Sequence, residues 1–198
     1  CLHVLVSSSA NKLTSVYAKA SRSLNSLSTR DQALYRQEGQ KIFDELKNNL
    51  MDKLPDINVV KETKLVYSGA KFEDMKPKER KEHALIRFIL QRLSEKDQEK
   101  STNRANDGLG FISNATLEHI IDKEHDIDNV FSLGNIVLLE RDVHKDVKEM
   151  ELKREMYSDS KITKTINFFK EYDEFNYTNI LDRQCKLLED FFNLVSKS

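Results

Sequence analysis

Ala115-Thr116-Leu117-Glu118-His119-Ile120-Ile121 and, further along, Leu133-Gly134-Asn135-Ile136-Val137-Leu138-Leu139 are the stretches that decide the fold. Both are apolar and rich in β-branched residues, and the segment between them, Asp122 to Asn129, is polar. Such spacing predicts two short strands, 115–121 and 136–139, joined by a loop. A helix is expected next, from about Asp142 to Met156, with His144 in its first turn.

The polar residues of this hairpin are ones that chemistry can use. Hydrolysis of a phosphodiester needs a base to take a proton from water and a cation to neutralise phosphate charge. A histidine suits the first task, because its pKa lies near neutrality. Carboxylate oxygen and imidazole nitrogen suit a divalent ion. Glu118 and His119 are consecutive, so on a regular strand they point to opposite faces, and a strand end or bulge is needed to re-aim one of them. The Asn135 side-chain amide both donates and accepts, so it can pin the loop behind His119.

The order Glu118-His119, then Gly134-Asn135 before an apolar strand, then His144 resembles the HNH motif. More narrowly, Leu117-Glu118-His119-Ile120 with Leu133-Gly134-Asn135-Ile136-Val137-Leu138-Leu139 resembles the C-terminal nuclease domain of GmrSD-type restriction proteins, which SspE-type phosphorothioation-sensing proteins share. The similarity continues through Lys153, Tyr157, Ser160, Ile180, Arg183 and Leu187, and back to Ile86–Leu93, covering roughly residues 78–198. It implies a ββα-metal nuclease core. By that resemblance His119 is the general base, Asn135 holds its loop, and Glu118 and His144 bind a divalent metal, or His144 contacts the phosphate. One position departs: the GmrSD-like family commonly has a second Asn where this chain has His144. The resemblance further implies DNA as substrate, a restriction or anti-phage role in the bacterial cytoplasm, and a ParB-like nucleotide-hydrolysing domain preceding this piece. Mg²⁺ or Mn²⁺ is the expected ion, and O/N ligation also accommodates Ni²⁺ or Zn²⁺.

Outward from the hairpin, the rest of the chain reads as helix. Leu13, Val16, Tyr17, Ala20 and Leu24 predict an amphipathic helix over 9–27. Leu34, Tyr35, Ile42, Phe43, Leu46 and Leu50 predict a second, capped by Ser28 or Thr29 and ended by Pro55. Residues 57–75 read as short strands or an irregular connector. A third helix begins near Pro77 and turns Ala84, Leu85, Phe88, Ile89 and Leu93 inward. Residues 96–112 lack apolar periodicity and are expected to be a loop or linker, separating a helical subdomain (1–95) from the nuclease with its C-terminal helices (113–198). Ser160 or Lys161 opens a further helix, and the last runs from Thr178 with Ile180, Leu181, Leu187, Leu188, Phe191, Phe192 and Val195 on its apolar side. The fold class is therefore α+β and mostly α-helical.

Composition adds bounds. In 198 residues, 33% are charged, five are Gly and two Pro, which favours helices over a large sheet. Net charge is −1, so nucleic-acid contact has to come from a local patch. Lys145, Lys148, Lys153 and Arg154, with Lys161 and Lys164, offer one, although interleaved acids (Asp146, Glu149, Glu151, Glu155) fit an ordinary helix surface equally well. His125 with Asp122, Asp126 and Asp128 offers an extra ligand, against the plainer reading of a solvated acidic loop. Cys1 and Cys185 form no metal-type pair, and Cys185 is expected to be a buried inert thiol. Arg183 is expected to tie the last helix to the core through a buried ion pair. No run is apolar for long enough to span a membrane, and the start at Cys1 suggests an excised fragment. Two rival functions stay open: a catalytically silent helical module that binds DNA or a partner, and a nuclease directed at RNA.

Overall fold

A computed structural model describes residues 11–27, 32–70, 72–101, 110–122, 129–145 and 147–196. It is mostly helical with one small antiparallel sheet, and it divides into two compact units, Cys1–Thr63 and Lys64–Ser198. The boundary falls well before residue 96, so the third long helix belongs to the second unit.

In the first unit, α1 (Asn11–Asn25) lies beside α2 (Gln32–Met51). Gly39 faces Leu27, and Lys19 pairs with Glu45 nearer the other end, so the two helices run antiparallel. The expected caps Ser28 and Thr29 lie outside the described residues. Residues 57–61 are neither strand nor irregular. They form a short helix, α3 (Ile57–Lys61), where the Asp56 carboxylate accepts the orphan N–H of Asn58 at 2.7 Å.

The second unit begins with an extended segment. Tyr67 N–H donates to Phe131 O (2.6 Å) and Leu133 N–H to Leu65 O (3.0 Å), around an antiparallel bridge between Val66 and Ser132. A 3₁₀ turn (Phe72–Asp74) leads to α4 (Pro77–Ser101). Proline suits the first helical position, where no amide hydrogen is required, and Glu79 caps the start by accepting Lys76 N–H at 2.7 Å. The buried face of α4 is Ile86, Ile89, Leu90 and Leu93, turned from the one expected: Ala84 and Phe88 are exposed. The helix also runs on through 96–101, where a loop was expected. Polar tertiary bonds hold it there, Gln98 Oε1 accepting from Thr163 N (3.0 Å) and Thr163 Oγ1 (2.8 Å), and Asp97 pairing with Lys164 at 3.0 Å. Residues 102–109 lie outside the description.

After α5 (Gly110–Ser113) comes the hairpin of β1 (Thr116–His119) and β2 (Ile136–Leu139), in the register Thr116↔Leu139, Leu117↔Leu138, Glu118↔Val137, His119↔Ile136. All four residues of β2 are buried, so both its faces are covered, and this is why it reads as a continuous apolar run. α6 (Met150–Ser158), α7 (Thr163–Ile166) and α8 (Phe168–Glu171) follow. With the hairpin they enclose a core of Ile120, Val137, Leu139, Met156, Tyr157, Phe168, Phe169, Phe175 and Ile180. The helix expected from Asp142 starts only at Met150. Val143 and Val147 pack on that core and Lys145 N–H meets Met156 Sδ at 3.3 Å, contacts that draw Val143, Lys145 and Val147 out of helical geometry.

The last helix, α9 (Asn179–Ser196), buries Ile180, Leu187, Leu188 and Phe191, each worth about 1.5–3 kcal/mol relative to an exposed side chain. Leu181 and Cys185 face outward, so the thiol is not the buried one expected. The α9 backbone lies directly on Gly134, where a Cβ would meet Ile180 O at 1.8 Å. Among the described residues no helix is long and apolar enough to cross a membrane.

Candidate active site

Where β1 ends, Glu118, His119 and His144 line one cleft of about 240 Å³, together with Tyr67, Gly69, Asp122, Lys145 and Lys153. Strand alternation sends Glu118 and His119 to opposite faces. His119 is the final residue of β1, so the cleft passes the end of the strand and both residues reach it.

Glu118 is the electrostatic centre. Its Oε2 lies 2.8 Å from His144 Nε2, and its Oε1 lies 2.9 Å from the Lys153 ammonium. Lys153 is 1% exposed, and it donates to the His119 carbonyl as well, so one buried cation grips both members of the Glu-His pair. His144 stands on the turn after β2, not in a helix. Its N–H and that of Val143 both return to Glu140 O, at 2.9 and 3.2 Å. The Glu140 carboxylate, itself buried, accepts from Ser160 Oγ at 2.7 Å and from Lys161 N–H, which anchors the base of that turn.

His119 is 9% exposed. Its Nε2 lies 3.1 Å from Tyr67 O, and its ring stacks on the Tyr67 ring at 5.2 Å between centroids and 15° between planes. A carbonyl can only accept, so Nε2 carries a proton in this contact. Phe131 meets the ring edge-on at 6.1 Å.

Behind His119, Asn135 uses its amide in both senses. Oδ1 accepts Ile121 N–H at 2.8 Å, while Nδ2 donates to Ile121 O (2.8 Å) and Val130 O (2.7 Å). Fully buried, it ties together the two ends of the 122–129 loop, and Ile120 N–H on Asn135 O (2.9 Å) adds a main-chain tie. His125, Asp126 and Asp128 lie outside the described residues.

The basic residues disperse. Lys145 is exposed and lines the cleft. Lys148 is exposed but is not among the cleft's lining residues. Lys153 cannot be a surface phosphate grip, because its charge is buried against Glu118. Arg154 points elsewhere, donating to Asp173 O and lying 4.5 Å over the Phe169 ring. Arg183 is buried, and among the described residues no carboxylate is in hydrogen-bond contact with it. It donates to Gly134 O (2.6 Å) and Ile136 O (3.0 Å) beside the Phe168 ring, and burial lowers its pKa to about 10.

Two cleft residues escaped sequence reasoning. Tyr67 comes from a segment of ambiguous pattern, and Gly69 adopts φ 69°, a left-handed conformation that glycine takes without steric cost. Lys153 left a signal: on a helix it falls in line with Met150, Met156 and Tyr157, a lysine on an apolar stripe.

The donors for a divalent ion are one carboxylate oxygen and one imidazole nitrogen already in contact. Among the described residues no group of three or more His, Cys, Asp or Glu side chains is placed to hold a metal. Two protein ligands beside an open cleft fit a hard cation that keeps several waters. Comparison of the chain with protein families, with curated proteins and with solved structures finds no match.

Proposed function

We propose that this chain is an HNH-type, ββα-metal endonuclease domain that hydrolyses DNA phosphodiesters, belonging to a modification-dependent restriction or anti-phage protein. One observation carries the reading: Glu118, His119 and His144, three groups of the motif, share one cleft, while the fourth, Asn135, ties the loop behind them. In this reading His119 takes the proton of the attacking water at Nδ1. Asn135 keeps the loop closed behind it. Glu118 and His144 would hold Mg²⁺ or Mn²⁺, which when bound neutralises charge developing on the phosphate and leaving oxygen. Lys145, exposed at the cleft, contacts the phosphodiester. The partners that follow are DNA and a ParB-like domain of the same protein.

The plainest test is relaxation of supercoiled plasmid with Mg²⁺ or Mn²⁺, comparing the chain with its His119→Ala variant. Metal-dependent nicking that the variant loses, with circular dichroism unchanged, supports the reading, and nicking unaffected by the substitution overturns it. A single-stranded RNA of equal length in the same buffer tests an RNA-directed enzyme. The binding-module alternative draws on one feature, the buried Lys153 that already neutralises Glu118. Mn²⁺ binding without turnover on either substrate would favour it.

A further inference from the structure

Tyr67 lies upstream of every motif residue, yet it makes the contacts that fix the plane and the proton of His119. Its carbonyl is 3.1 Å from His119 Nε2, and its ring is stacked on the imidazole at 15°. The tyrosine is itself held. Main-chain bonds flank it (Tyr67 N–H to Phe131 O, Leu133 N–H to Leu65 O), and its ring also meets His83 of α4 at 5.2 Å and 38°. Burial raises the Tyr67 hydroxyl pKa, and the Glu118 charge adds to the rise against the opposing effect of Arg87. Gly69, at φ 69°, lies close behind in the chain and lines the same cleft.

Stacking restricts tilt of the imidazole, and the carbonyl restricts rotation within its plane. Phe131, edge-on at 6.1 Å, blocks a third direction. An imidazole that must present one nitrogen to a water gains from each restriction, because small misplacements of a catalytic group cost large factors in rate.

We infer that Tyr67 is a positioning residue of the site: its ring and carbonyl hold His119 in one orientation with a proton on Nε2. The inference rests on the nuclease reading for its catalytic consequence, but its geometric content is independent of that reading. The hydroxyl is not needed for the stack, so Tyr67→Phe is the conservative variant and Tyr67→Ala the disruptive one.

Long-range ¹H–¹⁵N correlation spectra of the full chain, with histidines labelled and His119 assigned by His119→Gln, report the tautomer directly. The expected result is a His119 proton on Nε2 in wild type, Tyr67→Phe and Tyr67→Ala alike, because the main-chain carbonyl persists, with imidazole ring signals that shift and broaden only in Tyr67→Ala, where the stacked ring is gone. In the plasmid assay, Tyr67→Ala should lower kcat by roughly 10- to 100-fold with little change in KM, and Tyr67→Phe should restore it. A wild-type proton on Nδ1, or a Tyr67→Ala spectrum and kcat identical to wild type, overturns the inference. If Tyr67→Ala fails to fold, Tyr67→Leu, which keeps bulk without a flat ring, is read by the same spectrum and must show the same shift and broadening. A locked tautomer in a chain that never cuts DNA would sink the nuclease reading and leave the geometry of His119 standing.

Discussion

Lys153 and Arg183 are both buried cations of the second unit, at 1% and 5% exposure, yet their surroundings differ in kind. Arg183, on α9, spends its guanidinium on two main-chain carbonyls and a phenyl face. That contact set is closed: it joins the last helix to the entrance of β2, and nothing in it needs a ligand. Lys153, on α6, is set against a carboxylate that also touches a histidine, at the edge of an open cleft. Carbonyl oxygens neutralise a charge only partly, whereas Glu118 neutralises it fully while keeping an oxygen turned to His144. The first arrangement serves stability; the second leaves chemistry available.

The comparison can be broken at its most rigid point. Gly134→Ala places a methyl group 1.8 Å from Ile180 O, so α9 must move away, and a loss of about 4 kcal/mol is expected, read from urea unfolding of the second unit. The glycine is required here by close approach.

Arg183→Met should cost about 3 kcal/mol, since it leaves the Gly134 and Ile136 carbonyls without their charged donor. Mn²⁺ affinity measured by calorimetry on the folded variant should stay unchanged. An altered affinity would mean that the closed region feeds into the cleft after all.

Lys153→Met should cost about 2–3 kcal/mol, because Glu118 keeps partial access to solvent through the cleft. Unlike Arg183→Met, it should tighten Mn²⁺ binding by about 10-fold or more, since an ammonium near 4 Å opposes a second cation by several kcal/mol even at an effective dielectric of about 20. Equal or weaker Mn²⁺ binding would show that Lys153 holds Glu118 in place more than it competes for it.

The smallest effect on stability is expected at His144→Ala, under about 1 kcal/mol, for its side chain is 37% exposed and the pair is solvent-screened. Its Mn²⁺ affinity should fall by at least 10-fold. A fall in stability without a fall in affinity would make the histidine a structural partner of Glu118.

How much of this was legible from the chain depended on where each residue's partners lie. β2 could be read because both its faces are buried and its four residues declare it. The order of Glu118, His119, Asn135 and His144 could be read because hairpin geometry is local. The end of α4 could not: Asp97 and Gln98 are held by Thr163 and Lys164, partners that no window of apolar periodicity includes. Nor could the delayed start of α6, since Val143 and Val147 stand at helical spacing in the sequence and only their tertiary packing decides otherwise. Tyr67 was hidden for the same reason.

That long reach has a kinetic consequence. His119 and Tyr67 are 52 residues apart, and Lys153 and Glu118 are 35 apart, so the loops that close around the cleft are long. Closing them costs chain entropy before any contact repays it, so this pocket is expected to be among the last features to assemble as the polypeptide folds. A partly folded chain would carry its helices without an organised cleft, and His119 tautomer locking would then mark the moment at which folding is complete.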